Sequence, residues 1–106
     1  MTISFASLEI REICENEFIA KTNLGENAAE MLFAILSDIT SANSIFEIPG
    51  RNPEIHGKLG EFYKLHLGDK SLIILTSGHS KPIYLDNGKY DWNSVTRIKI
   101  TEIIKK

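Results

Sequence analysis

The chain has 106 residues, 42% hydrophobic and 25% charged, with a net charge of −2 and a pI near 5.9. That length suits one domain burying roughly two-thirds of the surface its unfolded chain would expose, and the composition excludes a disordered polyampholyte. A pI this low excludes a protein that binds nucleic acid through bulk positive charge, and no apolar run approaches the roughly 20 residues that span a bilayer.

In chain order, Met-Thr-Ile-Ser-Phe lacks a basic segment followed by an apolar core, so a cytoplasmic protein is expected. Residues 2–6 form a short strand with Ile3 and Phe5 on one side. Ser7 is a good N-cap, and Glu9 and Glu12 suit the positive end of the helix after it. Ile10, Ile13, Cys14 and Phe18 share one helical stripe, and Asn23-Leu24-Gly25 closes the helix. The lone Cys14 fits a reducing compartment and is expected to pack as a small hydrophobe. A second helix spans about Glu26 to Ala42, with Ala28, Met31, Leu32, Ile35, Leu36 and Ile39 as a wide apolar face. With so short a link, the two helices should make an antiparallel hairpin across a sheet.

Asn43 to Pro53 is a loop with a Pro49-Gly50 turn. Gly60 to Ser77 follows as a β-hairpin, with Gly68-Asp69 as a two-residue connection. Its first strand places Tyr63, Leu65 and Leu67 on one side and Phe62, Lys64 and His66 on the other. The second, Leu72-Ile73-Ile74-Leu75, is apolar on both sides, as expected of a central strand covered on both faces. Residues 76–81 are a polar loop with a solvated His79, residues 82–85 are extended, and Asp86-Asn87-Gly88 is a turn. The last strand, Val95 to Ile104, should turn Ile98, Ile100 and Ile104 to the core and Arg97, Lys99 and Thr101 outward. The order strand, helix, helix, strands predicts a two-layer α+β domain over residues 1–106, a helical hairpin on a mostly antiparallel sheet.

The sequence offers little for metal or nucleophilic chemistry. His56, His66 and His79 lack metal-ligand spacing, and Ser77-Gly78-His79 is not a nucleophile elbow. No phosphate-cradling or dinucleotide fingerprint is present. Charge is unevenly spread: residues 1–50 carry two bases against eight acids, and residues 51–106 carry ten against six. The bases Arg51, Lys58, Lys64, Lys81, Arg97 and Lys99, with His66, fall in the strand-rich half among Tyr63, Tyr84, Tyr90 and Trp92. Cations for phosphates and rings for bases are what a single-stranded RNA surface needs, and a cation can also stabilise the charge that develops when RNA is cleaved at a 2′-hydroxyl.

Several stretches together resemble a known family. They are Ile3-Ser4-Phe5-Ala6-Ser7, the acidic helix after it, Pro49-Gly50-Arg51 ahead of the sheet, and above all the tail Gly88 … Asp91-Trp92 … Val95-Thr96 … Ile98 … Ile100 … Glu102-Ile103. The pattern resembles the RelE/ParE superfamily of small toxins, in its HigB-like plasmid-maintenance ("killer protein") branch. The resemblance implies a RelE-like fold, two helices on a curved antiparallel sheet, and the toxin part of a type II toxin–antitoxin system. Such toxins cleave messenger RNA in the 30S A site of the ribosome without metal or cofactor, and a helix-turn-helix antitoxin neutralises them. ParE relatives instead poison DNA gyrase. On this resemblance Lys58, Lys64 and His66 supply phosphate contacts and proton transfer, Arg51, Lys81, Arg97 and Lys99 hold the RNA backbone, and Tyr90 or Trp92 stacks on a base. The chain departs from the family pattern at Lys70-Ser71, where relatives carry Tyr-Arg, and at Arg51-Asn52-Pro53, where they carry Arg-x-His. The missing arginine also admits a member that has lost catalysis and serves as an antitoxin-binding or operator-regulating partner.

Overall fold

The protein is described from a computed structural model covering residues 1–48, 54–68 and 70–105. It is an α+β arrangement of three helices and a mixed sheet of five strands.

Strand β1 (Thr2–Phe5) leads directly to Ser7, whose Oγ accepts a hydrogen bond from the Ile10 N–H at 3.2 Å and starts helix α1 (Leu8–Glu15). The single helix expected up to residue 23 is in fact two. Asn16 takes an extended conformation, its N–H donates to the Glu12 carbonyl, and its Oδ1 accepts from the Ile19 N–H at 3.0 Å. One side chain thus ends α1 and begins α2 (Glu17–Leu24), because a short amide competes well for backbone donors. The break resets the helical phase. Phe18, expected on the stripe of Ile10, Ile13 and Cys14, is 79% exposed, and Ile19 and Ala20 turn inward instead.

Gly25, at φ 86°, separates α2 from α3 (Glu26–Ser41), which buries Ala29, Leu32, Ile35 and Ile39. Carbonyls at the C-terminal end of α3 and at its cap meet the Met1 amino group, which donates to Ile39 at 3.0 Å, Thr40 at 3.1 Å and Ala42 at 2.8 Å. A positive charge at the negative end of a helix satisfies orphan acceptors and complements the helix dipole.

Strands β2 (Glu54–His56), β3 (Phe62–His66), β4 (Ser71–Ser77) and β5 (Arg97–Lys105) complete a sheet of order β1-β5-β4-β3-β2. β1 runs parallel to β5 and the remaining pairs are antiparallel. The hairpin of β3 and β4 forms where expected. The Leu67 N–H donates to the Ser71 carbonyl at 2.7 Å, so residues 68–70 lie inside the closing bond instead of two residues alone; Asp69 is outside the described residues.

A register shift in the β4–β5 ladder puts Leu75 opposite Ile100 but Ile74 opposite Glu102, leaving Thr101 as the extra residue of a bulge. Its Oγ1 donates to the Ile74 carbonyl at 3.1 Å. The bulge reverses the alternation beyond it, so Ile98, Ile100 and Ile103 pack towards the helices. Ile104, expected on the core side, lies opposite Leu72 on the other face.

All three helices pack on one side of the sheet, against Tyr63, Leu65, Ile73, Leu75, Ile98 and Ile100. β4 is therefore not covered on both faces: Ile74 is half-exposed, and Leu72 is buried between its cross-strand neighbours His66 and Ile104. Trp92 lies in the core, edge-on to Tyr63 with ring centroids 5.1 Å apart, and its Nε1 donates to the Gly60 carbonyl at 2.7 Å. His79 keeps partial exposure in its loop, where its Nε2 accepts the Thr96 N–H at 3.0 Å.

Two expectations follow for stability. Acetylating the Met1 amino group removes its charge and leaves one N–H for three carbonyls, which should cost about 1–2 kcal/mol and lower the urea midpoint accordingly. Burial, with a smaller push from Glu15, raises the Cys14 thiol from 9.0 to about 12, and burial raises the Tyr63 phenol from 10.0 to about 12. From pH 9 upward the unfolded chain releases a Cys14 proton that the native state keeps, so stability falls as pH rises, by up to about 1.4 kcal/mol per pH unit for that group. Tyr63 adds a like term from pH 10. Urea unfolding between pH 8 and 11 should show a shallower decline in Cys14→Ala than in the wild type; identical slopes would contradict burial of the thiol.

Candidate nucleic-acid interface on the open sheet face

With the helices on one side, the other face of the sheet is lined by strand side chains. Alternation along β3 sends Phe62, Lys64 and His66 to it, and Tyr63 and Leu65 to the core, as the sequence predicts. β2 pairs with β3 so that Glu54 lies opposite Lys64 and His56 opposite Phe62. The Glu54 carboxylate joins the two candidate residues, with Oε2 at 3.9 Å from Lys64 Nζ and Oε1 at 3.5 Å from His66 Nε2.

One register step away, His56 and Phe62 form a ring pair with centroids 5.4 Å apart and planes inclined by 32°. Phe62 and Thr76 follow the Tyr63–Leu75 pair, Thr76 lies opposite Lys99, and Lys99 opposite Ser4. A row from His56 to Ser4 therefore crosses the whole sheet. Arg97 stands on the same face of β5, opposite Thr2. Straight across from Lys64 on β5 stands Glu102; at about 4.8 Å per strand and 3.3 Å per residue, Lys99 lies about 12 Å and Arg97 about 16 Å from Lys64. Lys64, Arg97 and Lys99 are set against Glu54 and Glu102, so the face is only mildly cationic.

Lys58 is exposed in the turn joining β2 to β3, at the Phe62 end of the strand and away from His66. The turn is built on Glu61, whose Oε2 accepts the Leu59 N–H at 2.8 Å. Gly57, at φ 95°, leaves room for that carboxylate: a Cβ there would lie 2.5 Å from Glu61 Oε1. Lys81 is exposed in the loop after β4. Tyr90 is half-buried, edge-on to Tyr84 at 5.3 Å. Tyr90 packs against the core beside Trp92, with ring centroids 6.0 Å apart, and burial raises its phenol. Trp92, also expected to stack on a base, is 4% exposed and its Nε1 is committed to Gly60. Arg51 lies outside the described residues.

Ser71 shares the helix-facing side of β4 with Ile73 and Leu75 and is buried. It lines a cleft of about 420 Å³ beside Gly25 and Met31. A side chain at this position is directed away from Glu54, Lys64 and His66.

The cluster therefore combines a cation, an imidazole and a carboxylate on an accessible surface. Those groups can contact a phosphate and move a proton over short distances. The sequence places Phe62 on this face without giving it a role, and it does not single out Glu54 and His56, because a three-residue strand behind Pro53 has no periodicity to detect. Once β2 is paired with β3, the polar alternation of Glu54 and His56 about Ile55 matches that of β3. Among the described residues no group of three His, Cys, Asp or Glu side chains is arranged to hold a metal ion. Comparison with protein-family models, with curated proteins and with solved structures finds no match for this chain.

Proposed function

We propose that this chain is the toxin of a type II toxin–antitoxin system, a HigB-like member of the RelE/ParE superfamily that cleaves messenger RNA without a metal, on translating ribosomes in the cytoplasm. The observation that carries this reading is the meeting of Lys64, His66 and Glu54 on an open sheet face that also bears Lys99 and Arg97. The family resemblance of the tail is the second support.

In the reaction, the ribose 2′-oxygen attacks the adjacent phosphorus as its proton passes to a base, either Glu54 or neutral His66. The P–O5′ bond breaks, and a proton from the conjugate acid goes to the leaving oxygen. The products are a 2′,3′-cyclic phosphate and a 5′-hydroxyl. Lys64 neutralises charge on the non-bridging oxygens. Since no arginine grips the phosphate bidentately, catalysis rests on a lysine point charge, and a slower enzyme is expected than one with that arginine. A helix-turn-helix antitoxin is the expected partner.

One observation favours a second reading. Glu54 engages both Lys64 and His66, and so offsets the charge a phosphate would need. A member that has lost catalysis and acts as an antitoxin-binding, operator-regulating partner would tolerate that arrangement.

Induced expression separates the two. Growth arrest with mRNA fragments ending in 2′,3′-cyclic phosphate is expected for the nuclease; His66→Ala should slow cleavage by about 100-fold, and Lys64→Ala by about tenfold. Normal growth with intact mRNA would overturn the nuclease reading and leave the regulatory one. Arrest with DNA breaks and intact mRNA would instead indicate gyrase poisoning.

A further inference from the structure

A single-stranded substrate must place a base as well as a phosphate, and of Lys64, His66 and Glu54 the one ring, His66, is assigned to proton transfer. The neighbouring row of the open face does. His56 and Phe62 are a cross-strand pair whose side chains leave the sheet on the same side as Lys64 and Glu54. His56 is exposed and Phe62 half-exposed, although a phenyl ring this large is commonly buried. Phe62 does not belong to the apolar core on the helix side of the sheet. The ring pair thus makes a two-ring surface facing solvent.

Its position fits one class of ligand. Phe62 and Lys64 are two residues apart on one strand, about 6.6 Å along the face. A nucleobase resting on the Phe62 ring therefore brings its own backbone phosphate within reach of the Lys64 ammonium. His56 borders the same ring at 5.4 Å and carries nitrogens that can bond to the base edge. On the far side of Phe62, Thr76 and Lys99 continue the row, so the chain of phosphates has a second cation about 10 Å away. Rings flanked by cations on a sheet face are what single-stranded nucleic acid needs, whereas a duplex hides its base faces.

We infer that His56 and Phe62 form a nucleobase-stacking subsite for single-stranded RNA, adjoining the Lys64–His66–Glu54 cluster. The inference rests on the RNA-directed reading of that face and names the two residues that would position the base. They are positioning residues: neither takes part in bond making, and their role is to hold one nucleotide so that its phosphate lies at Lys64.

The test is titration of a short single-stranded RNA carrying 2-aminopurine, whose fluorescence is quenched when it stacks on an aromatic ring. Wild type should bind with quenching. Phe62→Leu should weaken binding about tenfold and lose the quench, with Phe62→Tyr restoring both. His56→Ala, at an exposed position, should give a smaller loss and keeps the test open if Phe62→Leu folds poorly by circular dichroism. Lys64→Ala should weaken binding and flatten its salt dependence while the bound RNA stays quenched. If wild type binds RNA and Lys64→Ala weakens it, but Phe62→Leu and His56→Ala keep affinity and quench, the subsite is refuted and the RNA reading stands. If wild type binds no RNA at micromolar concentrations, both fall.

Discussion

Strand β5 is the constraint on which the rest depends. It pairs with β4 along most of its length and with β1 at its start, and it supplies Ile98, Ile100 and Ile103 to the floor beneath the helices. A regular strand could not do this, because strict alternation would turn Ile103 to the open face. The bulge at Thr101 inserts one residue, lets both halves of the strand face the helices, and increases local twist. Bonding of the Thr101 hydroxyl to Ile74 holds the ladder where its regular hydrogen bonds are interrupted.

Much of the fold was legible because its signals are local and strong. The β3–β4 hairpin, the apolar face of α3 and the cap at Ser7 each follow from a few adjacent residues. The errors fall where one side chain overrides a pattern. Asn16 sits within a helical periodicity and breaks it by capping in both directions, which no hydrophobic count detects. Thr101 shifts a register, and the reversal at Ile104 follows from it. β2 is short and becomes a strand by pairing with β3, so its existence is a tertiary fact.

The candidate site divides in the same way. Lys64 and His66 are found by alternation, since a strand with one apolar face must show the other. Glu54 and His56 reach them from another strand, and that information lies in the pairing register. Trp92 illustrates the opposite hazard: near basic residues in the sequence it suggests a stacking ring, yet its size and its indole N–H suit the buried place beside Tyr63 and Gly60. Ser71 carries a further lesson about reading motifs by position. Its side chain faces the helices, so the open face must be understood from the groups actually on it.

The parallel pairing of β1 with β5 joins segments far apart in the sequence, Ser4 and Ile98 being separated by 94 positions. During synthesis β1 emerges first and its partner strand last. Until β5 is made, the attachment open to the first residues is the end of α3, through the Met1 amino group. Closure of the sheet waits for the final strand, so a ribosome-bound chain short of β5 exposes the edges of both β1 and β4.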